Sequence, residues 1–483
     1  MKIDIGIGGI PLSAIAAYVG GEMYGQDNVV TSIATDSREV SEGTLFLGIR
    51  GERVDGNDYL SSAFRGGASA ALGERYSADG SLVRAEDTVK ALGDLAKAIK
   101  ATIPAKTVAV TGSVGKTTTK ELIRAVLSAR YKTYASKGNH NSNIGLPMSI
   151  LEMQPDSEMA VFELGMSGLG EIDYLSRMTE PDIGVITNIG VAHMEALGSK
   201  ENICKAKLEL LNGMKAGSIL LLNGDDPYLR FGGRIAEQSG IRVLYVSVAS
   251  GDDGFGGESD YANFRAENLR FSAEGTLFDL VTKERRYADL RIPMIGHHSA
   301  YAALFALGVG ILSGLDEDAL RSGLEAFRSE PLRQSVERVG GVTVIADCYN
   351  ASPESMSAGM NVLRLLAKQQ SHGRRVAVLG DMRELGSNSP EMHAEVGYRA
   401  AKDGIDRIYT FGEISSLALR EGAIIGGMAE DQVISFPDSE HPEEVAVSLK
   451  SYLEDGDVLL IKASRALRAE RILAELKMLC ENS

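Results

Sequence analysis

The segment Thr107–Lys120 has the sequence TVAVTGSVGKTTTK, and this pattern decides how the central part of the chain is expected to fold. The apolar run Val108–Val110 predicts a short buried strand, and a helix is predicted to begin at Lys116. Gly112 and Gly115 lie between these two elements. A glycine loop in this position lets backbone N–H groups converge on phosphate oxygens, and the helix N-terminus adds partial positive charge. The segment therefore predicts a site for a nucleotide triphosphate.

This loop departs from the strict Gly-x-x-x-x-Gly-Lys-[Ser/Thr] pattern, because Val110 stands where the first glycine belongs. An ordinary glycine turn at a strand–helix junction is the alternative interpretation. Phosphate binding is favoured, since a lysine followed by three threonines has no evident packing role. In such a loop Lys116 would reach the β- and γ-phosphates, and the Thr117 hydroxyl could ligate Mg²⁺.

The length and composition of the chain indicate a globular protein with several domains. Its 483 residues exceed one ordinary core, so about two to four domains are expected. The hydrophobic fraction of 44% is typical of soluble proteins, we find no apolar run that could span a bilayer, and Asp4 and Glu22 argue against a signal peptide. Three cysteines far apart fit neither a disulfide framework nor a zinc cluster, which favours a reducing cytoplasm. The formal net charge of -16 disfavours nucleic acid as a partner.

Residues 1–85 are expected to form a small α/β domain. The segment Thr35–Arg38 follows a predicted strand and brings hydroxyls, a carboxylate and a guanidinium together. This cluster could bind a polar ligand such as a nucleotide diphosphate. An ordinary polar turn with a helix cap fits the spacing equally well, so both interpretations stay open.

Residues 86–329 show short apolar runs that alternate with helical patterns, which predicts a doubly wound parallel sheet. In such sheets ligands gather at the carboxyl ends of the strands. Gly112, Glu163 and Asn188 each follow a predicted strand, and this is the main reason to place them in one site. The alternating pattern of residues 262–293 predicts antiparallel hairpins at the sheet edge. The predicted parallel strands after the first are Met159–Leu164, Ile183–Asn188, Ser218–Asn223 and Arg242–Val246.

Residues 330–483 repeat this pattern and predict a Rossmann-like third domain. Polar side chains again follow the strand ends, so this domain can also contribute to a site. The predicted strands are Val342–Asp347, Val376–Gly380, Ile408–Gly412 and Val458–Ile461. The polar residues at their ends are Asp347, Asn350, Asp381, Lys462, Ser464 and Arg465.

A carboxylate, a hydroxyl and an imidazole could share Mg²⁺ beside the phosphate loop. Glu163 and Thr117 offer the oxygen ligands that hard cations prefer, whereas His193 is a less usual member of such a set. Taken alone, His193 would be assigned to a helix cap or to an ordinary hydrogen bond.

Two lysines and a cysteine have simpler interpretations. Lys205 and Lys207 lie on a predicted helix, Asn202–Met214, where a solvated lysine is the default for either. Cys348 follows Asp347, but no partner base is indicated, and a small buried residue explains it.

Eight motifs taken together resemble the Mur ligases, and the resemblance covers essentially the whole chain. Each motif alone is weak, whereas eight in this order and spacing are specific for the family. The last four favour the branch that joins D-alanyl-D-alanine to UDP-N-acetylmuramoyl-tripeptide (UDP-MurNAc-tripeptide). In chain order the motifs are TGSVGKTTTKE, GNHNSNIGLPMSIL, FELGMSGLGEI, TNIGVAHMEALGS, LNGDDP, DCYNASPESM, VLGDMRELG and IKASRALRAERI.

The resemblance implies ATP-dependent amide bond formation in cytoplasmic peptidoglycan precursor synthesis. In this family the carboxylate that ends the nucleotide-linked peptide attacks the γ-phosphate of ATP, which gives an acyl phosphate and ADP. The dipeptide amine then attacks the acyl carbon, and phosphate leaves. Such chemistry needs Mg²⁺ and cationic side chains that spread the phosphoryl charge. A monomer that inserts into no membrane and binds no nucleic acid is expected, with UDP-MurNAc-tripeptide and D-alanyl-D-alanine as its partners.

By the same resemblance, individual residues take roles at the site. Lys116, Glu163, His193 and a carbamylated Lys207 would be catalytic, and the last three would bind Mg²⁺ together with Thr117. Carbamylation turns a lysine cation into a carboxylate-like ligand, which suits a place beside magnesium. The residues expected to hold ATP are Gly112, Ser113, Val114, Gly115, Lys116, Thr117, Thr118, His298, Ser299, Arg333, Asp347 and Asn350. Those expected to hold the peptide substrates are Asp36, Ser37, Arg38, Phe46, Asn139, Asn141, Asp381, Lys462, Ser464 and Arg465.

The chain departs from the family pattern at two places. Members usually carry His-Asn-x-x-Asn before the closing helix of the central domain, whereas Gly296–Ala302 reads GHHSAYA. Ser299 and Ala302 thus replace both asparagines, which leaves adenine to His298, Ser299 and the backbone or loosens the nucleotide preference. In the first domain Asn57 replaces the usual histidine, so that contact is not carried over.

Two alternatives to the dipeptide-adding ligase stay open. The first is a sibling enzyme that adds a single amino acid, although the Asp-Asn-Pro-Arg motif of the diaminopimelate type is missing. The second is a phosphate-loop binding protein without ligase activity. The intact set of Lys116, Thr117, Glu163, His193 and Lys207 counts against this second alternative.

Overall fold

The structure is a computed structural model that describes residues 1–249, 262–370 and 373–481. Among these residues the main β-structure forms three sheets that follow one another along the chain, with helices packed on their faces. This arrangement confirms the predicted α/β fold class. The glycine- and acid-rich segment 250–259, which the sequence predicts as a surface loop, lies outside the described residues.

The N-terminal sheet is small and mostly parallel. Its elements are β1 (Lys2–Asp4), β2 (Ile10–Pro11), α1 (Leu12–Val19), β3 (Glu22–Tyr24), β4 (Val29–Val30), β5 (Ser32–Ala34), β6 (Thr44–Leu47), α2 (Leu60–Arg65), β7 (Ala70–Gly73) and β8 (Leu82–Arg84). The strand order is β1-β5-β6-β7-β8-β3, in which β5 to β8 are parallel and the two edge strands pair antiparallel. Strands β2 and β4 form a separate short ribbon.

The central sheet consists of parallel strands with an antiparallel extension. Its strands are β9 (Lys106–Thr111), β10 (Thr133–Ala135), β11 (Met159–Glu163), β12 (Ile183–Ile186), β13 (Ile219–Asn223), β14 (Arg242–Val248), β15 (Phe264–Ser272), β16 (Gly275–Val281) and β17 (Arg286–Ile292). Their order is β10-β11-β9-β12-β13-β14-β15-β16-β17. Pairing is parallel as far as β15 and antiparallel from β15 to β17, which confirms the predicted edge hairpins. The carboxyl ends of β11, β9 and β12 therefore lie side by side.

The helices of the central region differ from the sequence prediction at one place. They are α3 (Thr88–Ala101), α4 (Lys116–Ser128), α5 (Gly145–Leu151), α6 (Glu171–Thr179), α7 (Met194–Leu197), α8 (Lys200–Leu208), α9 (Pro227–Gln238), α10 (His297–Leu312) and α11 (Glu317–Ala326). The predicted C-terminal end of the helix over 202–214 is wrong. Helix α8 ends at Leu208, and a 3₁₀ turn follows it. At the end of that turn Gly213 N donates to the Ser176 hydroxyl instead of continuing the helix.

The C-terminal sheet has a Rossmann-like arrangement, as predicted. Its elements are β18 (Ser335–Val339), β19 (Val342–Asp347), α12 (Pro353–Ala367), β20 (Arg375–Gly380), α13 (Ser389–Lys402), β21 (Arg407–Phe411), α14 (Arg420–Ile425), β22 (Val433–Phe436), α15 (Pro442–Tyr452), β23 (Val458–Lys462) and α16 (Glu470–Glu481). The order is β18-β19-β23-β20-β21-β22, and every pair except β18–β19 is parallel. None of the described helices combines the length and the apolar composition that crossing a bilayer requires.

Helix α4, which begins at the phosphate loop, packs closely against α10 and α11. Glycines stand where these helices come nearest. A Cβ atom at Gly323 would lie 2.5 Å from Val126 Cα, and one at Gly310 would lie 2.8 Å from Val126 Cγ1. The missing side chains let both helices approach the α4 backbone, and this contact fixes the position of the phosphate loop.

We expect Gly323→Ala to destabilise the protein by about 1–3 kcal/mol, because its methyl group would collide with the Val126 backbone. This strain outweighs the gain in helix propensity of about 1 kcal/mol. Thermal unfolding measures the loss as a fall of about 2–4 °C per kcal/mol. Ser322→Ala, exposed on the same helix, is the control and should stay within about 0.5 kcal/mol of wild type. Equal melting temperatures for the two variants would contradict this packing.

Candidate active site

The phosphate loop joins β9 to α4, and its backbone depends on two glycines. Gly115 has a left-handed φ of 82° and occupies the N-cap of α4. Gly112 has a φ of 148°, and a Cβ atom there would lie 1.9 Å from the Thr187 hydroxyl oxygen. Any other residue at these positions would strain the backbone or collide, so the loop conformation requires both glycines.

The segment after β12 supports the phosphate loop from one side. Ser113 N donates to Asn188 O at 3.1 Å, and Val114 N donates to Asn188 Oδ1 at 2.9 Å. The Thr187 hydroxyl donates to Val114 O at 2.7 Å, and Gly190 N donates to the Ser113 hydroxyl at 2.8 Å. These bonds hold the two central loop residues. The first N–H groups of α4 have no intrahelical acceptor, so they are the donors that a phosphate group can use.

Lys116 lies at the start of α4 with its ammonium group turned back onto the loop. Its Nζ donates to Gly112 O at 2.8 Å. Burial lowers the pKa of Lys116, the carboxylates of Glu163 and Glu384 oppose this shift, and Arg333 reinforces it. Two of these charges come from the C-terminal region of the chain, so that region reaches the phosphate loop. A bound polyphosphate would supply negative charge and favour the ammonium form.

Glu163 ends β11 beside the phosphate-loop strand, where it pairs with Val110 across the parallel register. The residue is 2% exposed, and its Oε1 accepts a hydrogen bond from Asn141 Nδ2 at 2.8 Å. Its Oε2 is buried and has no hydrogen-bond partner among the described residues. A buried carboxylate oxygen without a partner is costly, which indicates that a cation belongs beside it.

Lys207 on α8 is a buried lysine near the phosphate loop. It is 1% exposed, and no described residue pairs with its ammonium group. Burial, and next the positive charge of Lys116, lower the pKa of Lys207 well below its usual value. The default interpretation of a solvated lysine is therefore wrong for Lys207, whereas Lys205 is exposed.

His193 lies where the central region meets the C-terminal region. Its backbone has a left-handed φ of 67°, and its Nδ1 lies 2.9 Å from Glu384 Oε2. This hydrogen bond, together with the charges of His193 and Lys116, lowers the pKa of the Glu384 carboxyl. His193 makes no side-chain cap bond to α7, so the helix-cap alternative is not observed.

The oxygen donors beside the phosphate loop fit Mg²⁺, although they do not form a complete protein site. In the described part of the chain no group of three or more His, Cys, Asp or Glu residues could hold a metal. Glu163 Oε2 and the buried Thr117 hydroxyl are hard donors, and phosphate oxygens and water would complete the shell. Lys207 would suit this cation only as a carbamate, since Mg²⁺ prefers oxygen ligands.

The predicted residues of the C-terminal region contact one another at adjacent strand ends. Lys462 is 1% exposed, and its Nζ donates to Asp347 Oδ2 at 2.6 Å and to Asn350 O at 3.0 Å. The Arg333 guanidinium stacks 3.6 Å above the Tyr349 ring. The structure thus groups three of the residues that the sequence placed at this strand edge, Asp347, Asn350 and Lys462.

Three predicted ligand contacts are not supported by the geometry, because the side chains are held inside the fold. Phe46 is 1% exposed in the apolar core of the N-terminal region. Ser299 is fully buried, and its hydroxyl donates to Gly296 O at 2.5 Å at the start of α10. The buried Asp381 carboxylate accepts a hydrogen bond from Ser415 N at 2.7 Å.

The predicted substrate residues of the N-terminal region form a local turn. Arg38 Nη2 donates to Asp36 Oδ2 at 2.6 Å, and hydrogen bonds from Arg38 lower the pKa of Asp36. Ser37 lies half-buried between them. Asn57, which replaces a histidine of the family pattern, is buried and donates from Nδ2 to Gly48 O at 2.9 Å. Its amide therefore holds the end of β6 in place.

The remaining predicted residues lie in the central and C-terminal regions. His298 Nε2 lies 3.1 Å from Gln334 Oε1, and burial lowers the pKa of His298. The Ser464 hydroxyl is buried and accepts a hydrogen bond from a backbone N–H. Asn139 and Arg465 are exposed, and Thr118 is half-buried on α4.

Three charged residues near the loop have no role in the sequence prediction. Lys120 is fully buried, and its Nζ donates to Ser136 O at 2.5 Å and to Gly138 O at 3.2 Å. Its position one helical turn after the loop lysine was an available signal. Glu354 and Glu384 lie in two of the quoted motifs, DCYNASPESM and VLGDMRELG, but a motif does not show what they contact, because they meet the site only through the tertiary fold.

Lys120→Met should lower the free energy of unfolding by about 1–3 kcal/mol, because two carbonyl groups lose a buried charged donor. Denaturant unfolding measures this change. Lys132→Met is the matched control: its side chain is 67% exposed and pairs with the exposed Asp156 at the surface, so the loss should stay below about 1 kcal/mol. An equal loss in both variants would show that Lys120 has no special role in fixing the 136–138 turn.

Three family models match successive parts of the chain. The model described as "Mur ligase family, catalytic domain" matches residues 29–113. "Mur ligase middle domain" matches residues 110–310, and "Mur ligase, glutamate ligase domain" matches residues 332–465. Together they span all three sheets.

Individual proteins resemble the chain over almost its full length. The UDP-N-acetylmuramoyl-tripeptide–D-alanyl-D-alanine ligase of Bacillus subtilis (strain 168) is 35% identical, over 93% of this chain and 94% of that protein. The crystal structure of MurF from Acinetobacter baumannii has a TM-score of 0.87 at 27% identity, covering 98% of this chain and 100% of that one. MurF from Thermotoga maritima in complex with ADP has a TM-score of 0.80 at 29% identity, covering 93% and 98%. Since these matches include the phosphate loop and the strands beside it, the chain belongs to the Mur ligase family.

Proposed function

We propose that the protein is the ATP-dependent ligase that joins D-alanyl-D-alanine to UDP-MurNAc-tripeptide in peptidoglycan precursor synthesis. The observation that carries this proposal is the cluster formed at one phosphate loop by the half-buried Lys116 and the buried Glu163 and Lys207, with Arg333 brought in from the C-terminal region. The name of the Bacillus subtilis relative and the ADP in the Thermotoga maritima structure support it.

The proposed reaction activates the tripeptide carboxylate with ATP and then joins it to the dipeptide amine. The terminal carboxylate of the tripeptide attacks the γ-phosphorus of ATP, which breaks the bond to the β-phosphate oxygen and gives an acyl phosphate and ADP. The free amine of the dipeptide then attacks the acyl carbon, loses a proton and expels inorganic phosphate. Both steps bring anions together, so the site must supply positive charge and alignment.

The residues at the loop are suited to these tasks. Lys116 can release Gly112 O and pair with the β- and γ-phosphates, while the first N–H groups of α4 bind phosphate oxygens. Arg333 adds positive charge from the C-terminal region. Thr117 and Glu163 would hold Mg²⁺, which neutralises phosphate charge when bound. Asn141 orients Glu163 through its hydrogen bond to Oε1.

Lys207 has the environment that carbamate formation requires. Only a neutral amine adds to CO₂, giving a carbamate and a proton, and the lowered pKa of Lys207 increases the fraction of its neutral form. The product has two oxygens in place of an ammonium group. Such a group beside Lys116 would replace a repulsive contact by an attractive one.

Each of the three regions of the chain has its own role in the proposed reaction. We assign UDP binding to residues 1–85, ATP binding to 86–329 and completion of the site to 330–483. The turn Asp36–Arg38 and the exposed Asn139 and Arg465 are the substrate contacts that we retain in the proposal. Catalysis is assigned to a cytoplasmic monomer that binds no nucleic acid and inserts into no membrane.

A phosphate-release assay tests the proposed reaction. With UDP-MurNAc-tripeptide, ATP, Mg²⁺ and D-alanyl-D-alanine all present, we expect continuous phosphate release and a product that contains both peptides. Omission of any one component should stop turnover. Sustained release without the dipeptide, or with a single amino acid in its place, would contradict the assignment and favour a sibling activity.

Carbamylation of Lys207 is a separate prediction. With ¹³C-labelled bicarbonate, the wild-type protein should show a carbamate carbon resonance by NMR, and bicarbonate depletion should lower the ligase rate reversibly. Acidification below the lowered pKa of Lys207 should remove the signal, because protonation blocks the reaction with CO₂. Lys207→Arg should lose the signal, whereas Lys205→Arg, at an exposed position of the same helix, should keep it. A signal that persists in Lys207→Arg would contradict the assignment.

A further inference from the structure

The segment Thr187–Met194, which we call the joint segment, lies between the phosphate loop and the C-terminal region. On its inner side it holds the loop through the hydrogen bonds of Asn188 and through the bond from Gly190 N to the Ser113 hydroxyl. The same segment carries His193. A shift of the joint segment would therefore move both the loop backbone and the histidine.

The outer side of the joint segment is held by Glu354, in the first turn of α12. Glu354 Oε1 accepts a hydrogen bond from Val191 N at 2.9 Å. A Cβ atom on Gly190 would lie 2.9 Å from the Glu354 carboxylate, so the contact requires glycine at that position. The Val191 side chain belongs to the same buried apolar cluster as Met356 on α12.

Burying part of the Glu354 carboxylate lowers the stability of the fold. Its Oε2 is buried and has no hydrogen-bond partner among the described residues. A carboxylate oxygen in such a position loses hydration without compensation, and residues held in this way are concentrated at functional positions. Packing alone would be served by an apolar side chain.

A second contact fixes the far end of the joint segment. His193 pairs with Glu384, and both residues have left-handed backbones, with φ values of 67° and 64°. Such conformations are unfavourable for residues other than glycine, and the surrounding structure must impose them. Gly386 packs against Glu195 just beyond, at 3.1 Å from its would-be Cβ to Glu195 Cα. The C-terminal region thus contacts the joint segment at two points, through Glu354 and through Glu384.

We propose that Glu354 is a positioning residue, which sets the joint segment, and through it Ser113 and His193, when the C-terminal region docks. This inference rests on the proposed ligase function. Docking of the C-terminal region would then have two effects. It brings Arg333 to the site, and it also fixes the phosphate loop through the joint segment. The hydrogen-bond acceptor of Glu354 is the feature that matters, since the partner is the Val191 N–H group.

Glu354→Ala and Glu354→Gln distinguish this positioning role from a general contribution of Glu354 to the stability of the fold. The alanine variant loses the acceptor, and we expect kcat in the ligase assay to fall about tenfold. The dissociation constant of ADP should change less than about threefold, because the contacts of the loop N–H groups and of Lys116 remain. Glu354→Gln keeps an acceptor and should recover most of the rate. Glu391→Gln, exposed in the first turn of α13, is the matched control and should behave as wild type.

A second measurement does not depend on ligase activity. Small-angle X-ray scattering of the whole protein with ADP and Mg²⁺ should show a larger radius of gyration for Glu354→Ala than for wild type and Glu391→Gln. A wild-type protein without ligase activity would refute the proposed function, while this scattering difference would still support the role of Glu354 in docking. Equal kcat and equal scattering for Glu354→Ala and wild type would overturn the inference. So would a glutamine variant as impaired as the alanine variant.

Discussion

The hydrogen bonds between the phosphate loop and the segment Thr187–Gly190 are the interaction on which the rest of the site depends. They occupy the amides of Ser113 and Val114, so the loop keeps its open shape before any phosphate arrives. Gly112 allows this contact, because a side chain at its position would collide with the Thr187 hydroxyl. The N–H groups at the start of α4, which these bonds leave unused, are thereby held in place, and donors held in advance need no rearrangement when charge develops in phosphoryl transfer.

The parallel sheet explains why the other groups proposed to be catalytic lie beside this loop. Strand order places the ends of β11 and β12 on either side of β9, so Glu163 and the joint segment flank the loop directly. Burial then gives these groups their chemical properties. Glu163 keeps an unpaired oxygen, and Lys207 has a lowered pKa and no counter-ion among the described residues. A site built in this way is electrostatically incomplete until a nucleotide and a cation are bound.

Much of the fold and part of the site could be predicted from the sequence, because the local pattern determines them. The strand and helix around the phosphate loop, the parallel strands and the edge hairpins follow from apolar periodicity and glycine position. The end of α8 could not be predicted, since it depends on a hydrogen bond to Ser176. Phe46 and Ser299 were assigned to ligands because a motif does not show whether a side chain faces the core. Glu354 and Glu384 are visible only once distant segments are brought together.

In the proposed function, the site activates a carboxylate by transferring the γ-phosphoryl group of ATP to it. The most direct test uses UDP-MurNAc-tripeptide labelled with ¹⁸O in its terminal carboxylate, together with ATP and D-alanyl-D-alanine. In the proposed reaction the carboxylate oxygen that attacks phosphorus leaves with it. Mass spectrometry of the released phosphate should therefore detect one ¹⁸O atom per turnover. Unlabelled phosphate formed at the same rate as the amide product would contradict the account.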